Sequence, residues 1–144
     1  MKYTDIKKLR ETEKTEVLKL CFLKLMAKPS KIHCLKEKEE HAEILCELSN
    51  KQWHNYEWFD LEKIDLKLQR NIDEYVCTLL KGELSVDLID LLSQTIGYLG
   101  LYKSFEMLKL IANIASIPNE IRNAVNNNIE ELGSNITDPY ISLR

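Results

Sequence analysis

The chain has 144 residues, 44% of them hydrophobic, enough for one domain with a real core. Four Gly and three Pro disfavour an all-β fold with many tight turns, and no apolar run is long and charge-free enough to span a membrane. The formal charge of −3 conceals an uneven spread: residues 1–36 carry +6, residues 37–81 carry −5 and residues 82–144 carry −4.

In chain order, the first apolar stripe is Leu18, Cys21, Phe22 and Leu25, which predicts a helix over about Thr4–Ala27, closed by Pro29. The charged N-terminus reads without an export signal. Cys21, Cys34, Cys46 and Cys77 form no CxxC pair and read as reduced, buried thiols, so the expected compartment is the cytoplasm. A second helix is expected over His33–Ser49, with His41, Ile44, Leu45 and Leu48 on one face and Glu37, Glu39, Glu40, Glu43 and Glu47 over much of the rest. The segment Trp53–Phe59 holds both tryptophans and reads as a short helix or an ordered loop.

Asp60 is a candidate N-cap for a helix carrying Leu61, Ile64, Leu68, Ile72, Tyr75, Val76 and Leu79 inward, with Gly82 as a left-handed stop. Ser85 caps the next helix, whose inward residues are Leu88, Leu92, Ile96 and Leu99 and whose end is Gly100. A helix over about Ser104–Ala115 follows. Pro118 suits the first turn of a last helix that ends at Gly133. The tail 134–144 reads as loosely docked, with Tyr140, Ile141 and Leu143 able to pack. The expectation is a single all-α domain over residues 1–144, with six or seven antiparallel helices.

Two of these helices echo each other at an offset of 33 residues: Asp87, Leu88, Leu92, Ile96, Leu99 and Gly100 align with Glu120, Ile121, Val125, Ile129, Leu132 and Gly133. The run Pro118-Asn119-Glu120-Ile121-Arg122-Asn123-Ala124-Val125 is similar to the opening of a HEAT-type repeat, and Asn128-Ile129-Glu130-Glu131-Leu132-Gly133 to its close. Residues 85–133 thus resemble HEAT-like repeats, departing from the usual alanines at Asn126, Asn127 and Asn128. The resemblance implies solenoid-type stacking in the C-terminal half and a surface that binds partners.

Motifs for chemistry were sought along the same chain. It has no G-x-S-x-G and no glycine-rich phosphate loop, so no catalytic residue and no cofactor are assigned. Cys34 and His41 share a helix face but stand about 10 Å apart along the axis, too far to hold one ion. Glu39 and Glu43 lie one turn apart, yet the Glu-x-x-His that accompanies such pairs in di-metal bundles is missing, so no metal is expected.

The local oddity is Trp53–Phe59 beside acidic groups, a composition found in protein-binding hot spots and equally in a core plug between helical layers. Its acidic neighbours argue against stacking on nucleic-acid bases. These features point to a cytoplasmic, non-enzymatic module that binds another protein. The concrete form is an immunity- or antitoxin-type protein covering the active site of a basic toxin, with no membrane partner. The expected contact residues are Glu39, Glu40, Glu43, Trp53, Tyr56, Glu57, Trp58 and Asp60. The alternative is a nucleic-acid-associated regulator using the basic residues 1–36.

Overall fold

The computed structural model describes residues 34–49, 66–133 and 136–140. Among them it is all-helical, with α1 (Leu35–Ser49), α2 (Leu66–Leu79), α3 (Val86–Leu99), α4 (Tyr102–Ala112), α5 (Asn119–Leu132) and no strand. Five helices are therefore described where six or seven were expected for the whole chain. The helix expected over Thr4–Ala27, the segment Trp53–Phe59 and the proposed cap Asp60 lie outside the described residues.

The central element is α3. Ser85, in extended geometry, accepts the Leu88 N–H on its hydroxyl at 3.1 Å, and Asp87 sits in the positive first turn. Gly100 ends the helix at φ 65°, where a side chain would be strained, and the Leu101 N–H closes back onto the Ile96 carbonyl at 3.1 Å. Leu88, Ile89, Leu92, Ile96 and Leu99 are all buried, because α3 has α1 on one side and α5 on the other. The helices α1, α3 and α5 thus form one row, and α2 packs beside α4 in a second. The two rows share one hydrophobic cluster, to which α2 supplies Ile72, Tyr75, Val76 and Leu79, and α4 supplies Phe105, Leu108 and Ile111.

Four local expectations are corrected. On α1, Ile44 and Leu45 of the expected face are buried and His41 is half-buried, but the deepest stripe is Lys38, Ala42, Leu45 and Ser49, all 4% exposed or less. Two of its members are polar, and hydrophobic periodicity overlooks them. Lys38 finds carbonyl partners there, and Ser49 donates its hydroxyl to the Leu45 carbonyl at 2.6 Å. Helix α4 runs Tyr102–Ala112 instead of Ser104–Ala115. Its start is capped from another helix, and at its end Asn113 turns its side-chain amide back to the Lys109 carbonyl. Pro118 stands at the N-cap of α5 with ψ 142°, one residue outside the first turn. Cys34 is exposed, whereas Cys46 is buried and Cys77 half-buried.

The two echoing stretches are not equivalent in depth. Leu88, Leu92 and Ile96 are fully buried, whereas of their counterparts Ile121 and Val125 are buried and Ile129 is half-buried. Helix α5 ends its row among the described helices, so α3 and α4 cover only part of it.

Candidate partner-binding cleft

At the C-terminal end of α4 the packing leaves a half-open cleft of about 680 Å³. Its floor and sides are aliphatic: Leu84 from the α2–α3 loop, Met107 and Ile111 from α4, Ile114 and Ile117 from the α4–α5 loop, and Ile121 from α5. Ile114 is 47% exposed at this rim, and Leu110, one helical turn before it, is 69% exposed. Ile114, which lines the cleft, is left in water at an apolar concavity, a setting that suits contact with a partner.

Each of the two wall loops is held by a cation. In the α2–α3 loop, Lys38 of α1 donates from Nζ to the Lys81 carbonyl at 2.6 Å and to the Glu83 carbonyl at 2.5 Å. Gly82, between those two carbonyls, has φ 77°, a conformation that turns both toward the ammonium and that glycine adopts without strain. Burial lowers the Lys38 pKa, opposed by the nearby Glu83 carboxylate. In the α4–α5 loop, Arg122 of α5 donates to the Ile114 carbonyl at 2.6 Å and to the Ala115 carbonyl at 3.4 Å. These carbonyls follow the last turn of α4, and that of Ile114 also accepts the Ile117 N–H at 3.3 Å.

The acidic residues expected to meet a partner lie on α1. Glu39, Glu40 and Glu43 are half-buried, and Glu39 accepts a long hydrogen bond from the Ser85 hydroxyl at 3.4 Å. Ser85 follows cleft-lining Leu84, so the acidic side of α1 adjoins one wall of the cleft. Trp53, Tyr56, Glu57, Trp58 and Asp60 are outside the described residues, as is most of the basic segment 1–36.

The N-terminal end of α4 is built differently. Leu101 stands at the N-cap and its side chain makes no cap hydrogen bond. The fully buried Asp73 of α2 does so instead, accepting the Lys103 N–H at 2.8 Å and the Ser104 N–H at 2.7 Å. The Ser104 hydroxyl lies 2.5 Å from the same carboxylate and 3.6 Å from the Cys77 sulfur. Tyr140, which is 4% exposed, donates its hydroxyl to Asp73 at 2.5 Å. The tail residues 136–140 are therefore tied to α2 through Asp73, and burial together with that carboxylate pushes the Tyr140 pKa up.

Burial pushes the Cys46 thiol up to about 11 and raises Cys77 as well, which keeps both protonated at neutral pH. His41 is half-buried and meets the Tyr75 hydroxyl through Nδ1. Among the described residues no group of three His, Cys, Asp or Glu side chains is placed to hold a metal ion, and no helix is long and apolar enough to cross a membrane.

Sequence reasoning passed over the cleft, Lys38, Asp73 and Arg122. For Lys38 a signal existed, since it stands in helical register with Ala42, Leu45 and Ser49. For the cleft there was none, because its lining comes from two separate stretches of chain, 80–84 and 107–121. A scan against protein-family models, a search of curated proteins and a search of solved structures each found no match.

Proposed function

We infer that the chain is a non-enzymatic protein-binding module whose contact surface centres on the cleft at the C-terminal end of α4. The observation that carries this reading is the aliphatic lining of Leu84, Met107, Ile111, Ile114 and Ile117, open to solvent at Ile114. Such a cleft takes an apolar anchor residue, while charge around it governs encounter. The adjoining acidic side of α1, with Glu39, Glu40 and Glu43, favours a basic partner. The concrete form is an immunity- or antitoxin-type protein that covers the active site of a basic toxin. Two rows of helices with α3 between α1 and α5 suit HEAT-like stacking, in which side-by-side helices offer an extended surface.

The test is capture of the partner from the native host, followed by binding kinetics and assay of the partner's own activity. Ile114→Asp is expected to speed dissociation. Replacing Glu39, Glu40 and Glu43 together by Lys is expected to slow association and reduce its salt dependence. Wild-type rates in both variants, with unchanged helical spectra, would place the contact elsewhere. A captured partner whose activity is the same with and without this protein would remove the inhibitor reading.

A further inference from the structure

We propose that Lys38 is the positioning residue of this cleft: its ammonium, seated on the Lys81 and Glu83 carbonyls, holds residues 80–84 as a wall and thereby sets the cleft's grip on an apolar side chain. The inference rests on the reading of the cleft as the binding site and adds to it the residue that shapes it.

After α2 ends, the Leu80 N–H still reaches the Val76 carbonyl at 3.0 Å and the Lys81 N–H the Thr78 carbonyl at 3.3 Å. Ordered helical bonding resumes only at Ser85, whose carbonyl accepts the Ile89 N–H. Between these points the loop turns through Gly82 at φ 77°, and glycine has other conformations open to it at little cost. Local bonding thus leaves residues 82–84 underdetermined. Lys38 supplies the constraint from 43 and 45 residues away in sequence.

An ammonium in this position is informative in itself. Lys38 is 4% exposed, and burying a lysine is costly unless its donors are met. Two carbonyl oxygens on either side of one glycine meet two of them. If the loop moves away, the buried ammonium loses both acceptors, so Lys38 favours the loop conformation that keeps them. The opposite wall is different. Arg122 is only half-buried and bonds carbonyls seven and eight residues before it, at the solvent-exposed Ala115 and Ile114. Of the two walls, the one held by Lys38 has the stronger and more distant anchor.

The consequence reaches the cleft because Leu80, Lys81, Gly82, Glu83 and Leu84 all line it. Releasing the loop moves Leu84 relative to Met107 and Ile111 and changes the space into which an anchor side chain fits.

The test uses the full chain and two readouts. The first is limited trypsin digestion under native conditions, following by mass spectrometry the rate of cleavage between Lys81 and Gly82. The carbonyl of that bond is one that Lys38 holds. Lys38→Met keeps the buried stem and removes the donors, and should raise this rate by roughly tenfold or more relative to cleavage at Lys109, as expected for local opening of a single loop. Lys38→Arg keeps donors and charge and should stay closer to wild type. The second readout is fluorescence titration with the apolar dye 1-anilinonaphthalene-8-sulfonate, which Lys38→Met should weaken.

If Lys38→Met does not fold, Gly82→Ala provides the same test from the loop side. It strains the positive φ, leaves α1 intact, and should also raise cleavage at this bond. A folded Lys38→Met variant with wild-type cleavage and wild-type dye affinity overturns the proposal. So does Gly82→Ala with wild-type cleavage when Lys38→Met cannot be studied. If Ile114→Asp abolishes dye binding while Lys38→Met leaves both readouts unchanged, the cleft stands and the role of Lys38 falls. If Ile114→Asp leaves dye binding unchanged, the cleft reading falls, and with it the link from Lys38 to affinity.

Discussion

Helix α4 has one buried polar anchor near each end, and the two are opposite in sign and in effect. Near its N-terminus, Asp73 gathers donors: two backbone N–H groups, a serine hydroxyl and a tyrosine hydroxyl. Near its C-terminus, Lys38 gathers acceptors, the carbonyls of a loop that leans over Met107 and Ile111. Asp73 offers an acceptor to the N–H groups that the start of α4 leaves free, and Lys38 offers a donor to two carbonyls of the α2–α3 loop. The difference lies in what is bound. Asp73 ties a helix start, a regular element, to α2 and leaves a closed end. Lys38 ties an irregular loop and leaves a cleft beside it. A closed end favours stability, and an end walled by loops leaves room for a partner.

Removing Asp73 should be the severest break in this comparison. Asp73→Ala leaves the N–H groups at the start of α4 and the Tyr140 hydroxyl without their acceptor, and leaves the Ser104 hydroxyl only the backbone carbonyl of residue 73, at an expected cost of about 3–5 kcal/mol. Urea unfolding measures it, and a loss below about 1 kcal/mol would mean that water replaces the carboxylate without difficulty.

Next in size is the contrast between the two echoing helices. Leu92→Ala, in the fully buried middle of the row, should cost about 2–5 kcal/mol. Ile129→Ala, at its half-buried edge, should cost clearly less. Equal losses would show that α5 is covered as completely as α3.

Tyr140→Phe isolates the tail from the rest of the Asp73 knot. It removes one hydrogen bond to a charged acceptor while keeping the ring, so about 1–3 kcal/mol is expected. Faster amide exchange confined to residues 136–140 would show that the hydroxyl tethers the tail; unchanged exchange there would show that the ring alone does so.

The smallest effect is expected at His41. Burial lowers its pKa, against the pull of Glu37 and Glu40. The unfolded chain therefore takes up the proton first as pH falls below about 6.5. Stability contributed by the neutral ring is complete above that pH and is lost as pH falls toward the folded pKa. His41→Gln should flatten that part of the pH dependence. Parallel urea midpoints for wild type and variant between roughly pH 7.5 and pH 5.5 would show that the site does not titrate in that window.

The helical class, the cap at Ser85, the left-handed turn at Gly82 and the helix end at Gly100 were legible from sequence, and the structure bears them out. They are local: a serine hydroxyl reaching an N–H three residues on, or a glycine entering a conformation closed to other residues, needs no distant partner. The same holds for the inward stripe of Leu88, Leu92, Ile96 and Leu99, since helical spacing alone brings those residues to one side.

What tertiary structure decided is where polar side chains go. Lys38 reads as one more charge on an acidic helix until the loop at 81–83 supplies its carbonyls. Asp73 reads as an exposed position on α2 until the start of α4 arrives to be capped. The cleft exists only because the loops after α2 and α4 come together beside α4. Apolar residues declare their placement by their spacing, because burial in any core satisfies them. A buried polar group needs one particular partner, and for Lys38 and Asp73 that partner lies 30 or more residues away in sequence.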